Sequence, residues 1–164
     1  MTFSNDAELS NAITKKLITT VKYVVDTILE KNDQTILDVV YASYSPNTYI
    51  RTGNFQNAWG TSAHGGGKSA EGEFYFESDK IIPNAGVDPH QHADVDGFSV
   101  AEYMADIIYE GGMGCIYRPT NRDAWKVLDN WLTNTKFKSI FEEGLSRSGL
   151  SWKRSRGAVI KISE

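Results

Sequence analysis

The sequence predicts an α+β fold: N-terminal amphipathic helices packed on a small antiparallel sheet, with a C-terminal helix and an extended arm. Three observations point there. Leu9, Ile13, Leu17, Val21, Val24 and Ile28 recur at three- and four-residue steps, the apolar stripe of an amphipathic helix. Glu73-Phe74-Tyr75-Phe76-Glu77 sets Phe74 and Phe76 on one face of a strand. Trp125, Leu128, Trp131 and Leu132 return to helical spacing, and Ala158-Val159-Ile160-Lys161-Ile162 ends the chain with the β-branched content of a strand.

In chain order, Asn5 with Glu8 three residues on forms a capping box for the first helix. Lys31-Asn32-Asp33 predicts its end, and Asn32 or Asp33 can cap a short second helix carrying Ile36, Leu37, Val40, Tyr41 and Tyr44 on one side. Pro46 stops that helix, because the residue before a proline is pushed out of the α region. Residues 47–60 form an ordered connection in which Gly53 takes positive φ in a turn. Residues 60–72 read as a flexible glycine-rich loop, and residues 78–98, rich in Pro, Gly and Asp, as a long excursion. Ser99 and Glu102 cap a further helix with Val100, Tyr103, Met104, Ile107 and Ile108, ended by Gly111-Gly112. Pro119-Thr120-Asn121 opens the last helix, which extends through Phe137, Ile140 and Phe141 to Gly144 as its C-cap.

At 164 residues the chain is one domain by length, read as residues 1–144, with a basic C-terminal arm or strand at 145–164. A composition 40% hydrophobic and 12% aromatic can bury a small core. No apolar stretch is long enough for a membrane span, and the N-terminus lacks the pattern of a secretory signal. A single cysteine, Cys115, excludes an internal disulfide and a cysteine-based zinc site. The net charge of −4 is segregated. Residues 1–70 carry six basic and six acidic side chains, residues 71–110 ten acidic against Lys80, and residues 111–164 ten basic against five acidic. Oppositely charged regions suit complementary docking, within one fold or between copies.

Catalytic and metal patterns find little support. Gly65-Gly66-Gly67-Lys68-Ser69 resembles the end of a phosphate-binding loop, but Ser62 stands where the motif needs glycine. His90, His92, Asp94 and Asp96 lie close together, and alternate residues of an extended chain share a face, so they form a candidate zinc or manganese site. Cys115 follows Gly-Gly-Met-Gly rather than a helix start, so nothing local activates it as a nucleophile. Trp152 among Lys153, Arg154 and Arg156 suits stacking on a single strand, or anchoring on a neighbouring protein subunit.

The segment Tyr41 to Phe55 reads as a rigid, aromatic-anchored corner. Tyr41, Tyr44 and Pro46 form Tyr-x-x-Tyr-x-Pro after the N-terminal helix; Tyr49, Arg51, Thr52 and Gly53 lead to Phe55. Further on, Tyr109-Glu110-Gly111-Gly112 precedes Arg118-Pro119. Together these resemble the tail-completion (head–tail joining) protein family of long-tailed bacteriophages, over roughly residues 5–135. The resemblance implies an α+β fold and a structural, non-enzymatic role in the virion neck or tail, in a protein made in the host cytoplasm. Implied partners are further copies in a ring, commonly a hexamer, the head connector or adaptor, and the tail tube. DNA would pass without sequence-specific binding, and no membrane is involved. No catalytic residue and no cofactor comes with it.

On this reading Tyr41, Tyr44, Pro46 and Tyr49 fix the corner against the N-terminal helix, and Arg51, Thr52 and Gly53 shape the turn. Trp152, Lys153, Arg154 and Arg156 anchor a neighbouring subunit. Two alternatives remain at the level of sequence: a metal-dependent hydrolase using the His90/His92/Asp94 loop, and another structural tail or capsid-decoration protein.

Overall fold

The computed structural model of the chain describes residues 5–42, 53–67, 69–80, 114–115, 118–119 and 124–151. The expected excursion at 78–98 (from residue 81 on), the helix expected from Ser99 and the strand expected at 158–162 lie outside them. The described part is α+β: a long N-terminal helix, a small antiparallel sheet and C-terminal helices.

Helix α1, Asp6–Thr35, is capped by the Asn5 side chain, which accepts from the Glu8 N–H at 2.9 Å. The stop predicted at Lys31-Asn32-Asp33 is absent. The backbone instead winds on into a π-helical segment, Ile36–Tyr41, where the Ala42 N–H reaches Leu37 O at 2.8 Å, a bond five residues back. Burial explains the difference. Asn32, Thr35 and Ile36 are all but inaccessible and Val40 is buried, so tertiary packing overrides the weak helical propensity of Asn and Asp.

The single apolar stripe expected along α1 is in fact two stripes. Thr14, Ile18, Val21 and Val25, at steps of four, three and four, face a β-hairpin. Lys16, Thr20 and Tyr23 face the last helix. Leu9 and Ile13, counted in the sequence stripe, are each 40% exposed. Thr14 and Thr20 are buried in their stead, with both hydroxyls hydrogen-bonded.

The hairpin is strand β1, Trp59–Gly66, against β2, Ser69–Phe76, antiparallel from Trp59↔Phe76 to Gly66↔Ser69. This corrects the expectation of a flexible loop at 60–72. The glycines serve close approach: a Cβ on Gly72 would lie 2.4 Å from Val21 Cγ1, and one on Gly65 would lie 3.0 Å from Ile18 Cγ1. Beyond the Gly66↔Ser69 pair, Gly67 takes φ 62° at the hairpin tip. Ser10 and Thr14 hydroxyls donate to the Gly67 carbonyl at 3.0 and 2.9 Å, pinning the tip to α1. The expected alternation of Phe74 and Phe76 holds: both are half-buried while Tyr75 faces out.

A short helix, α2, Asn54–Asn57, precedes β1, and a 3-10 turn, Ser78–Lys80, follows β2. Strands β3, Gly114–Cys115, and β4, Arg118–Pro119, form a second antiparallel pair. Pro119 thus lies in a strand pair and not at a helix start. Helix α3 is Ala124–Trp131 and helix α4 is Asn134–Arg147, so the one expected helix is two. Thr133 divides them as an N-cap, its hydroxyl accepting from the Lys136 N–H at 3.2 Å.

Gly144 does not end α4. It lies inside the helix, buried where α4 crosses α1, and a Cβ there would sit 3.1 Å from Thr20 O. The helix ends at Arg147 and is closed by Gly149, φ 67°, with Gly149 N–H to Ser146 O at 3.0 Å and Leu150 N–H to Leu145 O at 2.8 Å. That is the paired bonding of a Schellman cap. Lys16 Nζ adds a bond to Gly149 O at 3.1 Å, tying the cap to α1.

Two core clusters hold these elements together. Ile36, Val40, Phe55 and Ala124 join the π-helical segment, α2 and α3. Val24, Ile28 and Ile140 join α1 to α4, with Phe74, Trp131, Leu132 and Phe141 packed against them. Burying each large side chain stabilises the fold by about 1.5–3 kcal/mol.

Candidate functional site

The corner expected between Tyr41 and Phe55 is described at its two ends. Tyr41, last residue of the π-helical segment, is half-buried against the first core cluster, and its Oη accepts from the Gln56 N–H at 3.3 Å. Gly53 takes φ 76° immediately before α2, the positive φ the sequence predicts. Phe55 is buried and meets Trp59 edge-on at 6.2 Å and Phe76 at 6.0 Å. Trp59 stacks on Phe74 at 5.1 Å, with ring planes 14° apart. The corner is therefore bolted to the hairpin base by four rings, each ring pair worth about 0.5–1.5 kcal/mol beyond its burial. The Glu77 N–H to Ala58 O bond at 2.7 Å closes the same junction.

Tyr44, Pro46, Tyr49, Arg51 and Thr52 lie outside the described residues. So do His90, His92, Asp94 and Asp96 of the candidate metal loop, and Trp152, Lys153, Arg154 and Arg156 of the arm. Among the described residues, no cluster of three or more His, Cys, Asp or Glu side chains could hold a metal ion.

Two exposed faces were not specified residue by residue in the sequence. The first is the side of the hairpin turned away from α1. Gly60, Ser62 and His64 of β1 lie there, opposite Tyr75, Glu73 and Glu71 of β2. The Tyr75 ring lies over Gly60, where a Cβ would fall 2.8 Å from the ring. Ser62 Oγ donates to Glu73 Oε2 at 3.1 Å, and His64 Nε2 stands 3.5 Å from Glu71 Oε2. The result is an acidic sheet face with one aromatic ring.

The second face is the start of α4. Every residue from Thr133 to Ser139 is exposed, and the run carries Lys136, Phe137 and Lys138 with no acidic residue. Phe137 stacks on the half-buried Phe141 at 6.4 Å, with planes 9° apart. Lys136 Nζ sits 5.4 Å from the Trp131 ring centroid. The two ends of α4 differ. Near its C-terminus the Arg147 guanidinium bonds Glu143 at 2.8 Å and lies over the Tyr23 ring. The Arg147 and Tyr23 hydrogen bonds hold the Glu143 carboxyl below its ordinary pKa.

The basic surplus of the C-terminal third is accordingly uneven. Residues 124–151 hold four basic side chains (Lys126, Lys136, Lys138, Arg147) and three acidic ones (Asp129, Glu142, Glu143), a net of +1. Lys138 and Glu142 approach to 3.7 Å within α4. Lys136 and Lys138 are both exposed, on either side of exposed Phe137 in the sequence.

No helix among the described residues is long and apolar enough to cross a membrane. No curated protein and no solved structure matches the chain. The family model YomN matches residues 5–147, a span that runs from the N-cap of α1 to the last residue of α4. The chain therefore belongs to the YomN family, a phage-derived (Bacillus prophage) protein family.

Proposed function

We propose that the protein is a structural, non-enzymatic subunit of the phage virion neck, a tail-completion protein. In this reading copies assemble as a closed ring, commonly a hexamer in the family it resembles. The ring joins the head connector or adaptor to the tail tube, and DNA passes through it without sequence-specific binding. Phage-derived family membership supplies the setting. The observation that carries the reading is the corner. Tyr41 on the Gln56 amide, Gly53 at φ 76° and buried Phe55 are the described part of the stretch that resembles tail-completion proteins. Their contacts are packing contacts at the joint between helix and hairpin, the role of a frame and not of a reactive group.

Particles from an induced prophage carrying a deletion of this gene test the proposal. Electron microscopy is expected to show DNA-filled heads and separate, complete tails, with joining restored by the intact gene in trans. Intact, infectious virions from the deletion would overturn it.

A further inference from the structure

We propose that the two exposed faces described above meet in trans: the acidic hairpin face of one copy docks on the basic start of α4 in the next copy. This rests on the reading of the protein as a self-assembling subunit and names the contact that closes the assembly.

Strand β2 places Glu71, Glu73 and Tyr75 on the outer side of the hairpin, while its inner side packs on α1. Glu71 retains 73% of its side-chain accessibility, so its contact with His64 leaves the carboxylate open. From its N-cap on, the start of α4 is exposed over seven consecutive residues, Thr133 to Ser139. Phe137, at 41% exposure, stands between Lys136 and Lys138 in the sequence, and Lys136 lies over the Trp131 ring. Each face thus sets two like charges beside one exposed aromatic ring, with His64 near Glu71 on the hairpin and Glu142 3.7 Å from Lys138 on α4, and the two pairs have opposite sign. An aromatic centre with a charged surround is the composition of a specific interface.

The geometry favours a second copy over an internal contact. The hairpin packs on the Thr14, Ile18, Val21 and Val25 stripe of α1, whereas α4 packs on the Lys16, Thr20 and Tyr23 stripe. The outer hairpin face points away from α1, so within one rigid subunit it cannot turn to the start of α4. Two different complementary patches on one subunit make a head-to-tail contact, and such contacts generate rings when the rotation closes.

Charge reversal on each face supplies the test. The purified full-length protein, E71K/E73K, K136E/K138E and a 1:1 mixture of the two variants are compared by sedimentation at low salt. All of these positions are exposed, and circular dichroism checks that each variant is folded. The wild type is expected to self-associate. Each variant by itself should associate at least about tenfold more weakly, since like charges then face each other. The mixture should recover, because every contact between unlike variants again joins opposite charges. Wild-type association that neither variant weakens, or weakening without recovery in the mixture, would overturn this contact and leave the ring reading standing. A wild type that stays monomeric at every concentration would overturn both.

Discussion

Gly72 of β2 and Val21 of α1 lie so close that a Cβ on the glycine would come within 2.4 Å of Val21 Cγ1, and within 2.9 Å of Val25 Cγ1. The hairpin reaches the helix only because this position has no side chain. Gly72→Ala is expected to destabilise the protein by about 1–3 kcal/mol through overpacking. Val21→Ala on the same background should recover part of that loss, as contacting sites are non-additive. Thermal melts of the two single variants and the double variant check both statements.

Thr20 is the polar joint between α1 and α4. Its hydroxyl lies 3.0 Å from Lys16 O, 3.3 Å from Gly144 O and 2.9 Å from Ser148 Oγ, and the residue is fully buried. Thr20→Val keeps the volume and removes those bonds, with an expected loss of about 1–3 kcal/mol, read from urea denaturation. Ser148 retains its own bond to Gly144 O at 2.9 Å, which limits the damage to one donor.

Gly53 takes φ 76° in open space: a Cβ added there would meet nothing nearer than Asn57 Nδ2, at 4.0 Å. Conformation rather than crowding therefore sets the outcome of substitution. Gly53→Val should cost about 1–2 kcal/mol, and Gly53→Asn less, since Asn tolerates the left-handed region. An equal melting temperature for all three proteins would contradict the turn.

Asp33 is a carboxylate in the wrong place. Partial burial, then the neighbouring Glu30, raises its pKa above the ordinary 3.8, and its Oδ1 is buried without a hydrogen-bond partner among the described residues. The folded state disfavours the ionised form, so stability is lost as pH rises through the raised pKa and the penalty disappears below the ordinary value. Asp33→Asn is expected to raise the melting temperature at neutral pH, with the gain shrinking as the pH falls toward about 4, the ordinary aspartate value. A gain that grows in acid would contradict this assignment.

The sequence was most legible where a local rule decides the structure. The Asn5 cap, the positive φ at Gly53 and the outward turn of Tyr75 between Phe74 and Phe76 each depend on near neighbours in the chain. Legibility failed where a distant contact decides. Gly65 and Gly72 look like loop residues until α1 is seen lying against them. Asn32 looks like a helix end until Ile36 is seen to be buried. Gly144 looks like a C-cap, yet it marks a helix crossing, and the residue that closes α4 is Gly149. At the candidate site the charge segregation was readable, but not which side chains share a face. That required the register of β1 on β2 and the break at Thr133 that exposes Lys136, Phe137 and Lys138.

The central claim is a position in the virion, and immunogold labelling of intact particles with an antibody against this chain tests it most directly. The account predicts gold at the junction of head and tail. Gold along the tail shaft or over the capsid surface, or particles with no label although the protein is present in the lysate, would contradict it.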